Sequence, residues 1–152
     1  MPRWGPGAFD DHDALGLLIA LGRYDEAKRR TTLETILREA IQYPGPLSEW
    51  FNPHEVVAAA AVVAAGLEQG EAVRSEIVRL GHQAALLSPA DSAALYRDAL
   101  AALLVAAGRE GEWHLGWADT ETAMRARQTT DRLASVFYRF QCRFDQELPL
   151  EY

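Results

Sequence analysis

One cysteine, Cys142, stands in 152 residues. No intramolecular disulfide can form, so the fold rests on packing. With no signal peptide at the start, a reducing cytoplasm is the expected setting. Long hydrophobic runs are also missing. The longest, Val56 to Leu67, falls short of the roughly 20 residues that span a bilayer, so it is expected to be a buried core helix. Lysine is nearly absent: Lys28 is the only one among 15 basic residues. Paired with 26 alanines, this arginine skew is what GC-rich codons produce, and it points to a bacterial genome.

Several chemical signatures are absent as well. No serine sits in a glycine elbow, and no phosphate loop or dinucleotide glycine pattern occurs. Cys142 falls inside an expected helix, away from any basic loop or helix N-terminus that would activate its thiol. No cofactor is therefore expected. The net charge of -7 and pI near 5.1 disfavour nucleic acid and anionic membranes, and they favour a basic protein partner.

What is present reads as one domain over residues 1–152. About half the residues are apolar (49%) and 24% are charged, which is a globular balance. The alanine clusters and scarce β-branched runs favour closely packed helices. We expect an all-α fold, an irregular bundle of five or six helices around a central alanine- and valine-rich helix.

The first helix should start near Asp10, with Ala14, Leu17, Leu18 and Leu21 on one face and Gly22 as its stop. A second should run from about Asp25 to Tyr43. The third has the clearest start. Asn52 is placed at the N-cap, Pro53 at the first helical position, and Glu55 where a capping-box side chain reaches back. The fourth should span about Glu71 to Leu87, with Gly81 weakening its continuity. The fifth should start at Ser88-Pro89-Ala90-Asp91 and end near Gly108. Arg109 to Ala118 reads as a loop or short turn holding Trp113 and Trp117. The last helix should run from about Asp119 to Asp145. There Leu133, Phe137, Phe140 and Phe144 continue a regular seam, and Arg125, Arg132 and Arg139 recur beside it. A seam of this spacing is usually core, and it also suits a homodimer face.

The densest candidate site is the N-terminal stretch from Arg3 to Leu15. Gly5 and Gly7 allow the chain to fold back over residues 1–9, so that Trp4 and Phe9 tuck onto the first helix. Asp10 is expected at the N-cap and Asp13 in the capping-box place. That leaves Asp11 and His12 without a capping role. As a functional set, Asp10, Asp11, His12, Asp13 and Trp4 form a candidate contact patch. The calcium-loop pattern fails at Leu15-Gly16, so no metal site is assigned. His54-Glu55 is half of a zinc-protease motif, but Ala58 stands where the second histidine belongs.

Trp4, Gly5, Gly7 and Phe9, followed by Asp10, Asp11, Asp13, Ala14 and Leu18, resemble the N-terminal pattern of a bacterial group, the domain-of-unknown-function family 4259. The alanine-rich third helix also fits. Members carry a second aromatic or acidic residue in the first helix, where this chain has Gly16-Leu17. The resemblance implies a small cytosolic helical protein and brings no activity, substrate or catalytic residue.

The leading expectation is a non-catalytic protein-binding module, immunity-like or antitoxin-like, whose acidic surface covers a basic partner. One alternative is a metal-dependent hydrolase that uses the N-terminal aspartates with a histidine. Another is a homodimer formed through the aromatic face of the last helix.

Overall fold

The computed structural model describes residues 7–43, 52–107 and 119–147. It contains α1 (His12–Arg23), α2 (Glu26–Gln42), α3 (Pro53–Ala65), α4 (Glu71–Arg79), α5 (Pro89–Ala106) and α6 (Thr120–Glu147). Single 3-10 turns, Glu68–Gly70 and Gln83–Ala85, flank α4. No strand occurs among the described residues. The all-α bundle read from the sequence is the fold.

Helix α3 is the centre. Every residue from Val56 to Ala65 is buried. It packs most extensively on α5 and also touches α1, α2, α4 and α6. Methyl-sized side chains let five neighbours approach one axis closely, and the valines fill what remains. The 3-10 turn that follows folds back onto the end of α3. A Cβ at Gly70 would lie 1.7 Å from the Ala64 carbonyl oxygen, so only glycine fits.

Three boundaries differ from the sequence reading. Helix α1 runs through Gly22 to Arg23, and Tyr24 caps it in an extended conformation. Gly22 lies in the helix and is not its stop. Helix α4 ends at Arg79 rather than near Leu87. Gly81, at φ +83°, lets its own N–H reach the Val78 carbonyl (2.9 Å) and the His82 N–H reach that of Ile77 (3.0 Å). This double closure is a Schellman stop, and a glycine in the left-handed region permits it. At the start of α1, the N-cap is Asp11 rather than Asp10.

Helix α6 buries one edge. Ala126, Thr130, Leu133 and Phe137 are inside, and Phe140 meets Tyr96 of α5 edge to face at 4.7 Å. Part of the seam expected at a homodimer face lies in the protein's own core. Leu133 and Phe137 are consumed by the protein's own core, and Phe140 is partly buried against it. The side chain of Phe144 lies outside the described residues, as do Trp4, Gly5, Trp113 and Trp117. No single described helix is long and apolar enough to cross a membrane.

Candidate functional site

The acidic N-terminal segment divides between two sides of α1. Asp10 turns back: its carboxylate accepts from the Gly7 N–H at 2.8 Å, and its own N–H reaches the Gly7 carbonyl at 3.3 Å. This small turn buries Phe9 in the core, as expected. It also takes Asp10 toward Glu76 of α4, whose carboxyl is held above its usual range by burial and then by the Asp10 charge.

Asp11 and Asp13 face the other way, toward α3. Asp11 caps α1 by accepting from the Asp13 N–H at 2.8 Å. Asn52 caps α3 through its side-chain oxygen, which accepts from His54 N–H (3.1 Å) and Glu55 N–H (3.4 Å). The same Asn52 donates its amide to Asp13 across the gap at 3.1 Å. His54 Nδ1 stands 3.8 Å from an Asp11 carboxylate oxygen. Two helix N-termini thus abut, and the aspartates offset the like partial positive charges of their unsatisfied N–H groups.

This joint changes two roles assigned from the sequence. Asp11, read there as unneeded by any cap, is the cap itself. Glu55, read there as the return arm of a capping box, makes no hydrogen bond to the Asn52 backbone N–H among the described residues. Glu55 instead points to a half-buried position where desolvation, then the Asp13 and Glu39 charges, raise its pKa.

A groove of about 590 Å³ opens beside this joint, between α1 and α2. His12, Asp13 and Glu55 stand along it, with Thr31, Thr32 and Thr35 of α2 facing them. Each threonine hydroxyl donates backward to the carbonyl four residues earlier, at 3.0, 2.7 and 2.9 Å. Their protons are committed, so the oxygens offer lone pairs to the groove. Lys28 also lines it, with its ammonium 4.1 Å from the centre of the Tyr24 ring. The groove is therefore mostly a row of acceptors. Glu39 and the threonine row were not singled out from the sequence. Only the four-residue spacing of Thr31 and Thr35 placed them on one helical face.

Catalytic arrangements are not assembled here. Asp11 and His54 approximate a base and its orienter, yet 3.8 Å is too long for a hydrogen bond, and no serine or cysteine lines the groove. Among the described residues, no group of three or more His, Cys, Asp and Glu side chains is arranged to hold a metal ion. The aspartates expected to converge for a metal-dependent hydrolase diverge instead, with Asp10 toward α4 and Asp13 toward α3.

A sequence model of one protein family, described as "Domain of unknown function (DUF4259)", matches residues 3–129. No curated protein and no solved structure matches the chain.

Proposed function

The chain belongs to the domain-of-unknown-function family 4259, and on that premise we propose that it is a non-catalytic module that binds a basic protein partner. The α1–α2 groove receives a lysine or arginine side chain of that partner. The observation that carries this reading is Glu55, a half-buried carboxylate that lines the groove beside Asp13, with Glu39 near enough to add to the repulsion. A guanidinium or ammonium placed there would relieve the repulsion and would find the threonine oxygens as further acceptors.

The net charge of -7 supports the same choice, because it steers basic partners toward the surface and repels polyanions. An immunity-like or antitoxin-like role suits such a module, acting in a bacterial cytoplasm where the lone Cys142 stays reduced. In-cell crosslinking in the native host, read by mass spectrometry, tests it. The expected result is a basic protein crosslinked to residues around Lys28 and Thr35, and its loss with Glu39→Lys combined with Glu55→Lys. Recovery of no basic partner, or of one whose crosslinks lie elsewhere and survive the charge reversal, overturns the reading.

A further inference from the structure

Only Tyr24 and Asp25 join α1 to α2, yet each helix packs on α3 more than on the other. The groove they leave is therefore lined from three elements. Asp13 comes from α1, Glu55 from α3, and Thr31, Thr32 and Thr35 from α2. A Cβ at Gly16 would meet no neighbour within 4 Å, so the α1 wall stands clear at its middle. Leu17, Ala20 and Ile36 add apolar surface to the same walls.

The groove's own ammonium does not satisfy these acceptors. Lys28 lies over the Tyr24 ring, and among the described residues it forms no ion pair with Asp13 or Glu55. The two common cationic side chains would use the groove differently. An ammonium is a single, strongly hydrated nitrogen with three N–H groups, and it suits acceptors gathered around one point. A guanidinium is flat and carries five N–H groups on three nitrogens. Two of them can meet one carboxylate in parallel while the others point elsewhere. It also holds its water less tightly, which matters beside a half-buried carboxylate, and its faces tolerate contact with side chains such as Leu17 and Ile36. Acceptors supplied by three separate elements match the branched cation better than the compact one.

We infer that the groove selects arginine over lysine on its partner, which rests on the reading of the groove as a cation site. The guanidinium enters between α1 and α2, pairs side-on with Glu55, and gives its remaining N–H groups to Asp13 and the threonine oxygens. Glu55 sets the charge that the groove accepts. Thr31, Thr32 and Thr35 set which cation it prefers.

Amide chemical-shift titration of the full chain tests this with three probes of equal charge. They are Nα-acetyl-arginine amide, Nα-acetyl-lysine amide, and the arginine probe with two methyl groups on one terminal nitrogen. The arginine probe should shift the amides of Gly16, Thr32 and Glu55 and bind about tenfold more tightly than the lysine probe. The dimethylated probe keeps its charge but loses N–H donors, so it should fall to the lysine level. Thr31→Val combined with Thr35→Val removes acceptors without changing charge, and it should bring the arginine-to-lysine ratio to within about twofold. Glu55→Gln should weaken both probes alike. The probe comparison on unmodified protein stands even where a variant folds poorly. Equal affinity for arginine and lysine, or undiminished binding of the dimethylated probe, overturns the selectivity and leaves the basic-partner reading standing. If neither probe shifts these amides up to about 50 mM, the cation site itself is overturned and the selectivity falls with it.

Discussion

Helix α3 is enclosed on all sides by neighbours and carries mostly alanine and valine, whereas α6 is more than twice as long and buries a single edge of larger side chains. Crowding sets the choice in α3: five elements share one axis, and any added methylene must displace several of them. Reach sets the choice in α6: one edge must fill the space above α5 and the Glu68–Gly70 turn, so its residues are large. The centre of this protein should therefore resist enlargement, and its long outer helix should resist truncation.

The largest expected effect tests the α6 half of that contrast. Phe137 is fully buried, and Phe137→Ala should cost about 3–5 kcal/mol in urea unfolding, through lost transfer energy and the cavity left behind. A loss under 1 kcal/mol would show that the edge collapses easily, and the contrast would fail. For α3 the opposite change applies. Ala61→Leu should cost about 1–3 kcal/mol by overpacking, while Met124→Leu on the exposed face of α6 should be nearly neutral. Equal tolerance at both positions would mean that α3 is not crowded.

A smaller effect is expected where α3 meets α1. Asn52→Ala removes two accepted N–H bonds and the donor to Asp13, and it should cost about 1–2 kcal/mol. Because Asn52 and Asp13 touch, the loss from Asp13→Ala should not add fully to it. Additive losses in a double-mutant cycle would show that the cross-helix contact is energetically idle.

The same two helices mark what the sequence made legible. The unbroken alanine–valine run announced a helix buried all round, and the Asn52-Pro53 start announced its first residue, because both signals are local. The α6 seam was equally plain as a pattern, but its periodicity does not say whether the facing surface belongs to this chain or to a second copy. The position of Tyr96 on α5 sets Phe140 against this chain's own core. The acidic N-terminus was misread by one residue for a related reason. Asp10 and Asp11 are equivalent as caps in sequence, and the choice falls to Asp11 because Asp10 is occupied by the Gly7 N–H. The groove was not legible at all. His12, Thr31 and Glu55 are far apart in the chain, and nothing in their spacing brings any two of them to one groove.

The gentlest prediction concerns Glu55, a half-buried carboxylate in the first turn of α3. Its folded pKa lies above the usual 4.5, first from burial and then from Asp13 and Glu39. Below pH 4.5 the carboxyl is protonated in both folded and unfolded chains and carries no penalty. As pH rises through the raised folded value, the unfolded chain has already ionised while the folded one resists, so stability is lost. Glu55→Gln should then stabilise the free protein at pH 7, and the gain should vanish as pH falls toward 4.5. The gain should stay below about 1 kcal/mol, since much of the group remains in contact with solvent. Thermal melts of both proteins from pH 4 to 8 measure it. A basic partner in the groove would reverse the sign, because a cation beside Glu55 favours its ionised form and lowers its pKa. The variant that is more stable alone should bind the partner less well at neutral pH, and unmodified protein should release it on acidification. A substitution that stabilised the free chain and left partner affinity unchanged would assign the repulsion at Glu55 to packing alone.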